Sequence, residues 1–122
     1  MYKITIRKDF SSAHKLREYK GKCESLHGHN WKIEVTVKGN NLDKTGLLMD
    51  FGDLKIIVNG IIDKLDHKYL NETEPFDKIN PTSENIAKFI FDEVDKNLKG
   101  NNCKVDNVKV WESDNSFATY CN

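Results

Sequence analysis

Two stretches of strict alternation constrain this chain most. Tyr2, Ile4, Ile6 and Phe10 alternate with Lys3, Thr5, Arg7 and Asp9, and Trp31, Ile33, Val35 and Val37 alternate with Lys32, Glu34, Thr36 and Lys38. Side chains on a strand point to opposite faces with a period of two, so each stretch reads as a long strand with one wet face. Only the charged loop Lys15 to Lys22 and a short His-containing stretch separate them, which makes an antiparallel pair the natural arrangement. Gly39-Asn40-Asn41 ends the second strand.

The period then changes. Phe51, Leu54, Ile57, Val58, Ile61, Ile62 and Leu65 recur at helical spacing behind Asp50, a capping residue, with Asp53 placed to meet the helix dipole. Gly60 interrupts this helix at a modest cost. Pro75 and Pro81 bracket a loop, and Thr82 caps a second helix carrying Ile86, Ile90, Val94 and Leu98 four apart, closed by Lys99-Gly100. Val108 and Val110 mark a third strand, Phe117 to Cys121 a fourth, and Asp114-Asn115 a hairpin turn between them. The order ββααββ predicts one α+β domain over residues 1–122, a four-stranded antiparallel sheet with both helices on one face. Its open edges and polar second face favour association with copies of itself.

Composition excludes several classes. Lys plus Arg equals Asp plus Glu at 19 each, so no net field draws the chain to nucleic acid or to an acidic membrane surface. The longest apolar runs, Ile56 to Val58 and Phe89 to Phe91 among them, are too short for a membrane-spanning helix, and Met1-Tyr2-Lys3-Ile4 lacks a signal peptide's apolar region. Three widely spaced cysteines make no disulfide framework, and a reducing, cytoplasmic setting is expected. Cys103 and Cys121 have no polar companions and read as small structural residues.

The chemistry concentrates in Cys23-Glu24-Ser25-Leu26-His27-Gly28-His29. On an extended segment His27 and His29 project from the same side, a chelating pair for a borderline metal such as zinc. His14 ends the neighbouring strand. Parity with Phe10 puts it on the apolar face, a bulge would reverse it, and its face stays open on sequence alone. If His14 joins the pair, three ligands with an open position make the catalytic zinc pattern. Cys23 is then either a fourth ligand closing a structural site or an unligated thiolate base beside the cation. Asp66-His67 has the composition of an orienting carboxylate and a titrating imidazole, although spacing alone favours helix capping. For Glu112, after Trp111, the sequence alone likewise favours a solvated strand end.

Five segments in order carry a resemblance across essentially the whole length. They are Phe10-Ser11-Ser12-Ala13-His14, Cys23-x-x-x-His27-Gly28-His29, Leu65-Asp66-His67-Lys68-Tyr69-Leu70-Asn71, Pro81-Thr82-Ser83-Glu84-Asn85-Ile86-Ala87 and Val110-Trp111-Glu112. With these the chain resembles the 6-pyruvoyl-tetrahydropterin synthase family. The three residues between Cys23 and His27 look like the 6-carboxy-forming branch of queuosine biosynthesis, because pyruvoyl-forming synthases carry a longer spacer.

The resemblance implies that His14, His27 and His29 hold zinc, that Cys23 is the catalytic thiol, that Asp66 and His67 complete a proton relay, and that Glu112 anchors the pterin. It implies the tunnelling fold, with three subunits closing a barrel, two barrels stacking as a homohexamer (a dimer of trimers), and active sites between subunits. The implied substrate is 7,8-dihydroneopterin triphosphate, a small molecule, and the implied products are 6-carboxy-5,6,7,8-tetrahydropterin, acetaldehyde and triphosphate. Two alternatives stand beside this reading: a pyruvoyl-forming lyase that eliminates triphosphate, and a non-catalytic zinc module with Cys23 as fourth ligand.

Overall fold

A computed structural model describes residues 1–21 and 24–122. Strand β1 (Tyr2–His14) pairs antiparallel with β2 (His27–Gly39), helix α1 (Phe51–Ile62) follows, and a two-residue strand β3 (Lys68–Tyr69) precedes helix α2 (Ser83–Asn97). Strands β4 (Lys104–Ser113) and β5 (Ser116–Cys121) close the chain as a hairpin. The sheet order is β3-β1-β2-β4-β5.

The four long strands and two helices match the expected order, and the sheet gains a fifth member. Lys68 and Tyr69 run parallel to Ser12 and Ala13, covering the outer edge of β1 beside its last turn of chain. A strand of two residues has no period to read, which is why alternation could not announce it. A bulge between Thr36 and Val37 also interrupts the β2–β4 register.

Both caps form as expected. The Asp50 carboxylate accepts from the Gly52 N–H, and the Thr82 hydroxyl accepts from the Asn85 N–H. Helix α1 buries Leu54, Val58, Ile61 and Ile62, while Phe51 stays half exposed and off the buried stripe. Burying those four side chains, at roughly 1.5–3 kcal/mol each, outweighs the cost of about 1 kcal/mol from Gly60. The helix stops at Ile62, short of Leu65. The N–H groups of Leu65 and Asp66 turn back onto the Ile62 carbonyl, which still buries Leu65 and aims the next two residues at β1. Helix α2 buries Ile86, Ala87, Ile90, Phe91 and Val94, and Gly100 takes the left-handed conformation (φ 88°) expected beyond its end.

Both helices cover the face that carries Phe10, Trp31, Ile33, Val35, Val108 and Val110. The opposite face is polar and laced across strands: Thr5 to Thr36 at 2.7 Å, Arg7 to Glu34 at 2.8 Å, Lys32 to Asp114 at 2.8 Å. The β1–β2 register runs unbroken from Tyr2 opposite Gly39 to His14 opposite His27. No bulge intervenes in this pair, so His14 keeps the parity of Phe10 and lies on the covered face.

Candidate metal centre

The unbroken register makes His14 and His27 direct cross-strand neighbours, with His29 opposite Ser12 on the same face. The Trp31 ring forms the floor, meeting the His14 ring edge-on at 4.9 Å and the His29 ring at 5.1 Å. It is held in turn by its indole N–H donating to the Ser12 carbonyl at 3.3 Å. Three ring nitrogens converge above it, all within 4.8 Å of one another.

The protonation of this triad follows from its partners. The His14 Nδ1 lies 2.7 Å from the Pro81 carbonyl, and the His27 Nδ1 lies 2.7 Å from the Ser25 carbonyl. A carbonyl only accepts, so each Nδ1 carries the proton and each Nε2 presents a lone pair. Those two Nε2 atoms face each other at 3.0 Å. Two lone pairs hold that distance only with a proton or a metal cation between them. The His29 Nε2 is buried with no hydrogen-bond partner among the described residues. Burial pulls the His29 imidazole below its ordinary pKa, against the opposing pull of the Glu112 carboxylate. Tetrahedral zinc with nitrogen ligands near 2.1 Å separates them by about 3.4 Å, a spacing this triad can meet. The residues fit a metal.

Two carboxylates flank the triad. A Glu112 oxygen lies 3.7 Å from the His14 Nε2, and a Glu24 oxygen lies 3.7 Å from the His27 Nδ1. Tertiary structure thus brings Glu112, near the end of β4 and still partly exposed, within reach of the metal cluster. Glu24 was not singled out from the sequence, although its place between Cys23 and His27 was a signal that could have found it. The Pro81 and Ser25 carbonyls left no such signal, because a backbone oxygen carries no residue identity.

Asp66 and His67 meet each other and β1. The Asp66 carboxylate accepts the Ser11 N–H at 2.9 Å, and the His67 N–H donates to the Ser11 carbonyl at 2.6 Å. This clamp holds His67 at φ 55°, a left-handed conformation that costs a side-chain-bearing residue about 1–2 kcal/mol. Asp66 Oδ2 lies 3.0 Å from His67 Nδ1, leaving Nε2 free on a ring that is 82 % exposed. The Ser11 N–H donation, ahead of the His67 contribution, holds the Asp66 carboxyl below the usual carboxylate range. The pair is an oriented acid–base unit on the outer edge of β1, and among the described residues nothing joins it to the three histidines. Cys23 lies outside the described residues.

Comparison with known proteins decides the family. A sequence model described as 6-pyruvoyl tetrahydropterin synthase matches residues 3–122. The chain belongs to the 6-pyruvoyl tetrahydropterin synthase family. It is an enzyme of this pterin-processing group, and none of its helices is long and apolar enough to cross a membrane among the described residues.

A relative from Archaeoglobus fulgidus, provisionally named a 6-carboxy-5,6,7,8-tetrahydropterin synthase, is 44% identical over 115 residues, covering 94% of this chain and 91% of its own. The 6-carboxy-5,6,7,8-tetrahydropterin synthase of Haemophilus influenzae is 34% identical, covering 98% and 99%. The dihydroneopterin monophosphate aldolase of Pyrococcus furiosus is 40% identical, covering 90% and 89%. The Caenorhabditis elegans 6-pyruvoyl tetrahydropterin synthase structure superposes with a TM-score of 0.81 at 26% identity, covering 100% of this chain and 97% of its own.

Proposed function

We propose that this enzyme is a zinc-dependent lyase that converts 7,8-dihydroneopterin triphosphate to 6-carboxy-5,6,7,8-tetrahydropterin, acetaldehyde and triphosphate, a step in queuosine formation. The observation that carries the proposal is the convergence of three histidine nitrogens, one of them buried with no partner among the described residues, beside Glu112. Relatives named for this activity across nearly the whole chain support it.

Zinc held by His14, His27 and His29 would act as a Lewis acid on the substrate's side-chain hydroxyls. The remaining work falls to the chain itself. Glu112 accepts two hydrogen bonds from the pterin's amino group and ring N–H, and its distance of 3.7 Å from His14 suits a ring held against the metal. Cys23 takes a proton from the side-chain carbon as a thiolate. His67 exchanges protons through its free Nε2, while Asp66 orients the ring and stabilises its charged form.

A relay imidazole standing in bulk solvent is poorly placed to direct a proton. The exposure of His67 therefore supports an active site completed by a neighbouring subunit, in a cytoplasmic homohexamer of two stacked trimeric barrels. The polar sheet face and the open outer edge of β5 suit that assembly. Sedimentation of the zinc-loaded protein should give a hexamer, and a fully active monomer would defeat this part.

Glu24 favours a second reading. A carboxylate 3.7 Å from His27 can itself serve as a base, and a relative at 40% identity is named an aldolase. Cleavage between the two hydroxyl-bearing carbons would then release a two-carbon aldehyde that keeps its phosphate. Product analysis with dihydroneopterin triphosphate separates the readings. Acetaldehyde with free triphosphate supports the 6-carboxy synthase, triphosphate with a pyruvoyl product the pyruvoyl-forming synthase, and a phosphorylated aldehyde the aldolase.

A further inference from the structure

The segment Pro81-Thr82-Ser83-Glu84-Asn85 stands out in the sequence, and its position in the fold supplies a role for Asn85. His14 is 1% exposed, and among the described residues its Nδ1–H has a single acceptor, the Pro81 carbonyl at 2.7 Å. The orientation of that carbonyl therefore fixes which nitrogen of His14 is free and where it points.

The carbonyl is held from both sides. Thr82 N–H donates to the Asn80 carbonyl at 2.9 Å, closing an i→i+2 turn centred on Pro81, whose ring restricts φ to the range such a turn needs. The same Asn80 oxygen accepts a second hydrogen bond, from the Asn85 side-chain amide at 2.8 Å. Asn85 is itself fixed, since its backbone N–H donates to the capping Thr82 hydroxyl at 3.1 Å. On the other side, the Asn80 side chain accepts the Arg17 N–H and donates to the Arg17 carbonyl, both at 2.8 Å. The Asn71 side chain brackets Lys15, the residue after His14, in the same manner at 2.9 Å. Two asparagines thus tie down the backbone leaving His14, and Asn85 ties down the turn that receives its imidazole.

We infer that Asn85 is a positioning residue of the metal centre, acting through the Asn80–Pro81 turn to hold His14 with Nδ1 protonated and Nε2 directed at the cation. This rests on the reading of His14, His27 and His29 as a zinc site. Asn85 touches neither metal nor substrate. Loss of its amide leaves the Asn80 carbonyl with one hydrogen bond fewer and lets the Pro81 carbonyl swing away from His14. The direct hydrogen-bond partner of a metal ligand typically changes affinity by about 10–100-fold, which is the ceiling for a residue that acts through that partner.

The test uses the full-length protein stripped with a chelator and titrated with zinc against a chromogenic competitor. Asn85→Ala should bind zinc measurably more weakly than wild type, by up to about 10–100-fold. Asn85→Asp, which keeps the shape and turns an oxygen toward the Asn80 carbonyl, should weaken binding at least as much and serves if the alanine variant does not fold. Asp50→Ala removes the α1 cap far from the site and controls for lost stability. It should lower the melting temperature and leave zinc affinity at the wild-type value. In ¹⁵N-edited spectra of the metal-free wild type, His14 should show a protected Nδ1–H, and in the Asn85 variants a mixture of tautomers. Wild-type affinity in both Asn85 variants overturns the inference, as does equal weakening in Asp50→Ala. Absence of zinc binding in wild type instead overturns the metal reading beneath it.

Discussion

Replacing His29 by leucine should stabilise the metal-free protein while abolishing its response to zinc. The His29 Nε2 is buried with no partner among the described residues, and a buried acceptor left unpaired costs about 1–3 kcal/mol. Leucine removes that atom and keeps an apolar group over Trp31, although it gives up the ring's edge contact at 5.1 Å, so the low end of the range applies. An unfolding entropy of about 2.1 cal/mol/K per residue gives roughly 0.26 kcal/mol/K for the 122 residues. A gain of about 1 kcal/mol therefore raises the midpoint by about 4 °C. Zinc at a hundredfold excess over its dissociation constant adds about 2.7 kcal/mol to a protein that binds it, about 10 °C on the same scale. Thermal melts at one fixed protomer concentration, with chelator and with zinc, read both effects. Wild type should be the less stable form in chelator and the more stable form in zinc. A metal-free His29→Leu that melts below metal-free wild type would refute the argument from the orphaned nitrogen. A variant that still gains from zinc would remove His29 from the ligand set.

Three further outcomes follow from the site. Cys23→Ala should retain zinc and melting temperature while losing about 10²–10⁴-fold in turnover, as removal of a general base does; loss of zinc together with stability would make the thiol a fourth ligand. His67→Gly should melt above His67→Ala by an amount on the order of 1 kcal/mol, because only glycine adopts φ 55° without strain, and both should be inactive; equal midpoints would deny the strain. The Asp66 carboxyl is depressed in the folded state, so its contribution to stability is present above the unfolded pKa of about 3.9 and is lost as pH falls through the lower folded value. The midpoint difference between wild type and Asp66→Asn should accordingly shrink as pH falls from about 5 to below about 4, and a difference that stays the same over that fall would contradict the assignment.

Local geometry is what the sequence by itself determined. Alternation in Tyr2 to Phe10 and Trp31 to Val37 specifies strands, because the period of two belongs to any extended chain. Asp50 and Thr82 specify helix starts, because each satisfies an orphan N–H within its own first turn. His27 and His29 share a side for the same reason as their strand neighbours. Tertiary structure decided everything that depends on pairing at a distance. His14 joins the other two only because the β1–β2 register runs without a bulge, a property of two strands together. Glu112 reaches His14 through strand order, and β3 exists only as a partner to Ser12 and Ala13. The left-handed turn at His67 follows from the Asp66 and His67 bonds to Ser11, which override the residue's own preference. The Pro81 carbonyl that sets the His14 tautomer is backbone, common to every residue, and only the folded chain brings it to that imidazole.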